Sequence, residues 1–358
     1  MVAVISFVAG GALWAEGRAG EPAMTVGLIA PMTGEEAAYG ESIRNAVQWK
    51  LEGHENWKLI VEDDGDVTSK IAMATKKLLS VDKVDVLLTA YGRRAAVAAP
   101  MTEAQGVPMI TFGTWQTNFT KNPQCTFVVG AVMQPEVALF MKVCRELGYK
   151  RLAYVGWQTP DGMAMTNYVK EVFPKNGLEL VEMLQYTDDA RDFRTILLKA
   201  VEKKPDAIFV IAFEPGMGII LRQCHELGIT TPLLTVEGFD NYESNEFVQN
   251  RWYTNIAQPK EAWAAAFEKR TGVAPMYGAA YAYDAMDLVL RESAKFKEKP
   301  THAQLTEALH KAGPLEGSVG RWVMRPDGIM EAPSKLYWVA DKKSRVVSLE
   351  ELKKLEGK

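Results

Sequence analysis

The feature that most restricts this chain is a rhythm: short apolar runs rich in β-branched residues alternate with amphipathic helical stretches. This is the pattern of βα units wound around a parallel sheet, whose strands are buried on both faces. The runs read TVGLIA from Thr25, LIVED from Leu59, VDVLLTA from Val84 and PMITF from Pro108. A second set reads RLAYVGW from Arg151, ELVEMLQY from Glu179, DAIFVIA from Asp206 and PLLTV from Pro232. Starts are 34, 25 and 24 residues apart in the first set and 28, 27 and 26 in the second. Between the sets the gap is 43 residues and holds an extra strand, TFVVG from Thr126. Two similar four-strand α/β lobes, joined near residue 130, fit this spacing better than one eight-strand sheet.

Helix ends are also legible. Gly148 and Gly228 each follow an ELG-type finish, where a left-handed glycine closes a helix. Asp161 and Asp192 are expected as N-caps. After residue 240 the rhythm changes to helical stretches at Pro259–Thr271, Gly278–Lys297 and Thr301–Lys311, then a β-like tail, RWVMRPDG and KLYWVADKKSRVV. Such an ending implies that the chain has returned to an earlier lobe, and several crossings between two lobes make a hinge.

A length of 358 residues matches two domains, and 47% apolar with 24% charged residues gives an ordered core. The net charge of −4 lacks the basic excess of a nucleic-acid-binding surface, so no such partner is expected. Residues Val2–Ala15 are uncharged, and small and polar residues follow. This resembles the apolar and cleavage regions of a secretory signal, without the positive start, so residues 1–23 are expected to be a leader removed on export. Cys125, Cys144 and Cys224 form no CxxC pair, and Cys144 and Cys224 occupy matching CRELG and CHELG helix ends, where buried packing is expected. Four scattered histidines offer no metal-ligand spacing.

Catalytic and cofactor motifs are absent. The cluster Gly216-Met217-Gly218 lacks the third glycine of GxGxxG, and Gly317-Ser318-Val319-Gly320 has the wrong spacing for a nucleophile elbow. There is no GxxxxGK[ST] or HExxH. Asp63-Asp64, at a strand end, is expected to cap the following turn. No enzyme activity, cofactor or metal is expected.

In open α/β sheets, ligands lie beyond the carboxyl ends of strands, where helix N-termini offer free N–H groups. The segments to inspect are therefore PMTGEEAAYG with Tyr39, then Tyr91-Gly92-Arg93-Arg94, Gly113-Thr114-Trp115, Trp157 to Asp161, Phe213-Glu214 and Glu237-Gly238. A cleft built from them is rich in aromatics, as in a small-molecule pocket. Arg93 and Arg94 open a helix, where positive charge opposes the helix dipole, so at least one is expected to serve an anion, with a surface salt bridge as the alternative.

From TVGLIAPMTGEEAAYG onward the chain resembles the leucine-type periplasmic substrate-binding proteins of ABC importers. The match continues in order through VEDDGD, AYGRRAAVAAPMTEAQGVPMITFGT, FEPGMGIILRQCHELG, TVEGFDN, GAAYAYDAMDLVL and LEGSVGRWVMRPDG, from about Thr25 to Val347. The resemblance implies a type I periplasmic binding fold: two Rossmann-like lobes with parallel-sheet cores, joined by a three-segment hinge that closes on ligand. It places lobe I at 24–128 plus 254–330 and lobe II at 129–253 plus 331–358. In the family's amino-acid binders, hydroxyl residues after strands three and four hold the ligand carboxylate and a glutamate takes the ammonium. Glu237 matches that glutamate, and Tyr39 and Phe213 match aromatic wall positions. Gly92 and Arg93 stand where small hydroxyl residues are usual, Trp115 replaces a threonine, and Asp161 falls where a tyrosine is frequent. Asp66 and Tyr91 take the places of the family's paired cysteines.

The resemblance implies an exported, periplasmic receptor, monomeric, that hands a small solute to a membrane permease. Its first expected ligand is an amino acid, with the carboxylate at Gly92, Arg93 and Thr114 and the ammonium at Glu237. Arg93 would clamp the carboxylate in bidentate fashion. An aromatic carboxylate, an amide or a urea-like solute is the alternative ligand. A cytosolic ligand sensor and an unrecognised α/β enzyme are the alternative classes.

Overall fold

The computed structural model describes residues 23–357, apart from 35, 118, 131, 132, 188, 213, 214, 240, 241, 244 and 257. The expected leader lies outside the described residues. The chain opens with β1 (Met24–Ala30), α1 (Ala37–Leu51), β2 (Trp57–Asp63), α2 (Thr68–Ser80), β3 (Val86–Ala90), α3 (Tyr91–Gln105), β4 (Met109–Phe112) and β5 (Thr126–Val129). It continues with α4 (Met133–Glu146), β6 (Arg151–Trp157), α5 (Pro160–Lys175), β7 (Glu179–Tyr186), α6 (Arg194–Glu202), β8 (Ala207–Val210), α7 (Gly216–Glu226), β9 (Leu233–Leu234) and β10 (Arg251–Ile256). The last part holds α8 (Glu261–Thr271), α9 (Ala279–Ser293), α10 (His302–His310), β11 (Leu315–Glu316), β12 (Arg321–Met324), β13 (Ile329–Glu331), β14 (Ser334–Ala340), β15 (Lys343–Val346) and α11 (Leu349–Leu355).

These strands form three sheets, in the orders β11-β12-β13-β5-β4-β3-β1-β2, β7-β6-β8-β9 and β10-β14-β15. The pairs among β1 to β5 are all parallel, as are those among β6 to β9. Every residue of β3, β4 and β5 is buried, which is why these strands appear in the sequence as unbroken apolar runs rather than alternating ones. The α/β fold with parallel-sheet cores is as expected, but the two sheets are not alike. The first gains three strands from the tail: β13 adds in parallel to β5, and β12 and β11 follow antiparallel. A lone β5 edge would leave a row of unpaired backbone groups, and the returning chain covers it.

Between the first sheet and the others the chain passes three times: from β5 to α4, from β10 to α8 and from β13 to β14. Hydrogen bonds tie these passages together. Glu136 on α4 is fully buried; its carboxylate accepts the Ile256 N–H at 3.2 Å and its carbonyl accepts the Thr254 hydroxyl at 3.3 Å. The Glu237 N–H donates to the Thr254 carbonyl at 2.9 Å.

The tail is fastened by a buried carboxylate. Asp284 on α9 accepts from Ser318 N at 2.7 Å and from the Trp322 indole N–H at 2.6 Å. Burial pushes the Asp284 carboxyl up to about 6 in spite of these bonds.

Helix ends follow local chemistry. Gly148 and Gly228 adopt φ of 80° and 64°, the left-handed closure expected of them. Asp161 is not the N-cap of α5. Thr159 takes that place, accepting the Gly162 N–H at 3.2 Å, with Pro160 opening the helix. Asp161 is thereby set in the first turn with its carboxylate released for other contacts. Asp192 is not the N-cap of α6 either: Phe193 holds that position, and Asp192, two residues ahead of the helix, accepts the Arg194 N–H at 3.1 Å. Cys125, Cys144 and Cys224 form no disulfide and are buried, as expected of the packing of Cys144 and Cys224.

Candidate functional site

The site is assembled at the carboxyl ends of β3 and β4. The chain enters α3 directly from β3 through Tyr91, which takes a left-handed φ of 63° that bulky side chains rarely adopt. The Tyr91 hydroxyl donates to the Tyr277 carbonyl at 3.0 Å, and the two rings stack with centroids 6.0 Å apart. This turn brings Gly92 against Thr114 and Asp161. A β-carbon at position 92 would lie 2.7 Å from Thr114 Oγ1 and 3.2 Å from both Asp161 oxygens. Thr114 Oγ1 accepts the Gln116 N–H at 3.0 Å and donates weakly to Asp161 Oδ1 at 3.4 Å. Burial raises the Asp161 pKa, while hydrogen bonds from Gln116 and Thr114 work against that shift.

Glu237 adjoins this group through Trp115 and Asp161. It is 4% exposed and held at φ 62°. Burial pushes its carboxyl up to about 7; hydrogen bonds with Glu136 and Trp115 oppose the shift, and the charge of Asp161 adds to it. Glu237 Oε1 has no hydrogen-bond partner among the described residues. Tyr277, whose ring stacks on Tyr91, is 40% exposed. Its phenol is pushed well above the ordinary range, first by burial and then by the charge of Glu237.

Of the residues singled out in the sequence, Tyr91, Gly92, Thr114, Trp115, Asp161 and Glu237 converge here. Tyr39, half-buried in the first turn of α1, is near enough to act electrostatically on Tyr91. Phe213 lies outside the described residues. Arg93 is engaged elsewhere: its Nη1 donates to Asp66 Oδ2 at 2.7 Å and to the Asp66 carbonyl at 3.2 Å, and its side chain is 46% exposed. In the structure, the partner of the expected carboxylate clamp is therefore a loop aspartate.

Arg94 points inward and is 1% exposed. It forms a two-pronged pair with the fully buried Asp64, at 2.6 and 2.9 Å, and it also reaches Asp66 at 3.3 Å. Asp63 caps its turn as expected, accepting the Met32, Thr33 and Gly65 N–H groups. Asp64 caps as well, its carboxylate accepting the Asp66 N–H at 2.7 Å, and it also serves this buried pair. The Arg94 guanidinium also lies 5.7 Å from the centroid of the Tyr91 ring, beneath the site.

Glu136 and Tyr277 escaped the sequence reading. Glu136 is an acid in the otherwise apolar face Met133, Val137 and Phe140, and that mismatch is the signal that could have exposed it. Among the described residues no group of three or more His, Cys, Asp or Glu is placed to hold a metal ion, and no helix is long and apolar enough to cross a membrane.

Residues 23–344 match the profile of the family described as periplasmic binding protein. The chain belongs to that family. Among curated relatives, the Leu/Ile/Val-binding protein homolog 3 of Brucella melitensis is 22% identical over 330 residues, covering 87% of this chain and 89% of its own length. Among solved structures, a leucine-binding protein from Thermotoga maritima superposes with a TM-score of 0.80 at 20% identity, over 91% of this chain and 98% of the other. A solute-binding protein of an ABC transporter from Rhodopseudomonas palustris, in complex with 3,4-dihydroxybenzoic acid, gives 0.73 at 22% identity, over 88% and 92%. The fold is that of these periplasmic binding proteins.

For a periplasmic binding protein with this cleft, pH should act on stability and binding in opposite directions. The Glu237 carboxyl rises from its ordinary 4.5 to about 7 on folding, so between those values the folded state binds more protons than the unfolded one. Stability from this group is complete below pH 4.5 and is lost as pH rises to 7, by up to about 3 kcal/mol. Melting curves of the unliganded protein and of Glu237→Gln at pH 5 and pH 8 isolate this contribution. The wild type should lose more on going to pH 8, and equal losses in the two proteins would refute it.

Proposed function

We propose that this periplasmic binding protein is the exported receptor of an ABC importer, and that its cleft takes a small polar solute by a donor-bearing head at Glu237. Support comes from the family match and from relatives named for leucine, isoleucine and valine binding. The observation that carries the site is Glu237 itself, a carboxylate almost wholly buried whose Oε1 has no hydrogen-bond partner among the described residues. Burial of such a group is costly unless a partner arrives, and an ammonium or amide N–H of a solute supplies one. The amino-acid class is the first reading. In this reading lobe I comprises 24–128 and 254–330 and lobe II 129–253 and 331–358. The three tied passages serve as the hinge, and a monomer presents its closed face to a membrane permease.

A thermal-shift screen tests the reading with the purified protein, the twenty amino acids, short amides, urea, aromatic acids and dicarboxylates. A solute at 100 times its Kd stabilises by about 2.7 kcal/mol, which gives a rise of a few degrees. The rise is expected with solutes that carry an ammonium or amide group. If only dicarboxylates stabilise the protein, the role given to Glu237 is wrong.

A further inference from the structure

Beside Gly92 and Thr114 the site holds a carboxylate of the protein's own, near enough to Glu237 to act on it electrostatically. Because Gly92 has no side chain, Asp161 lies where a β-carbon at that position would come within 3.2 Å of both its oxygens. The Thr114 hydroxyl is spent on the protein as well, accepting from Gln116 N and donating toward Asp161. No lysine or arginine is among the groups that shift Asp161 or Glu237. The two arginines at the start of α3 are committed to Asp66 and Asp64.

A solute carboxylate beside Gly92 and Thr114 would meet the Asp161 carboxylate, and among the described residues no lysine or arginine pairs with Asp161 to offset it. Like charges brought together out of water repel strongly. A hydrogen-bond donor at the same place meets an acceptor, as it does at Glu237. Resting on the cleft reading above but departing from its amino-acid class, we infer that the solute presents N–H donors to both Asp161 and Glu237, as an amine, amidine or amide, and has no free carboxylate beside Gly92 and Thr114. Asp161 is then the residue that sets specificity, and Gly92 is the glycine that admits it.

Titration calorimetry on the full-length protein tests this with matched probes: leucinamide against leucine, benzamidine and benzamide against benzoate, and putrescine against 4-aminobutyrate. The donor-ended member of a binding pair is expected to be at least about tenfold tighter. A carboxylate member that binds as tightly or more tightly overturns the inference and leaves the cleft reading standing. No binding by any donor-ended probe at millimolar concentration overturns it as well. Asp161→Asn should erase the preference by admitting the carboxylate member, and an unchanged preference is a refutation. Should Asp161→Asn fail to fold, Gly92→Ala displaces the same carboxylate from the side and is expected to weaken the donor-ended probe; an unaffected probe counts against the inference. Indifference of the tightest probe to Glu237→Gln takes down the cleft reading and this inference with it.

Discussion

Glu237→Gln is expected to weaken binding of the solute by roughly 30- to 100-fold, about 2–3 kcal/mol, while leaving the unliganded protein as stable as before or more so at pH 8. The two effects share one origin. In the free protein the carboxyl is 4% exposed and Oε1 has no hydrogen-bond partner among the described residues; burial and Asp161 oppose its charge, and hydrogen bonds with Glu136 and Trp115 favour it. Glutamine keeps the shape and removes the desolvation cost, but offers the solute a neutral acceptor in place of a charged one. Calorimetric Kd values beside melting temperatures of the same two proteins read both sides. A loss of affinity below about threefold would show that the solute's head lies elsewhere.

Arg94→Met should have the largest effect on stability. It strands Asp64, which is fully buried and has the guanidinium as its two-pronged partner, and breaking such a pair costs about 3–5 kcal/mol. A fall in melting temperature of roughly 4–7 °C follows for a chain of this size. Replacing both partners, as Arg94→Met with Asp64→Leu, should restore most of the loss, because an apolar pair leaves no orphaned charge. A single variant that melts within about 2 °C of the wild type would mean that water reaches Asp64 and that the pair is not sealed.

How much of this was legible depends on whether the determining contacts are local. Strands β3, β6 and β8 were plain because burial on both faces writes an apolar run, and the expected β7 coincides with Glu179–Tyr186. The membership of β11 to β13 in the first sheet was not plain. Ile329 pairs with Val128 across about two hundred residues, and such pairing leaves no mark in either segment. At the site, Gly92, Thr114, Asp161 and Glu237 could be named because ligands in α/β folds gather at strand ends. The division of labour between Arg93 and Arg94 could not. Adjacent helical residues point about 100° apart, and only the tertiary placement of Asp64 and Asp66 decides which one turns inward. The cap of α5 was misplaced for a similar reason, since Thr159 and Asp161 are both competent caps and Pro160 selects the earlier one.

The seam between β5 and β13 also dictates a timetable. Strands β1 to β5 lie within the first third of the chain, but the strand that covers β5 is supplied by residues 329–331. Helix α9, which packs against α1, also comes from the last hundred residues. Synthesis proceeds from the N-terminus, so the growing polypeptide holds a half-finished first layer with an open edge until residues 329–331 are available. Pairings of this sequence separation form slowly, because a long loop must close before any contact rewards it. The fold is therefore one that is completed late, by a chain whose final stretch locks its first.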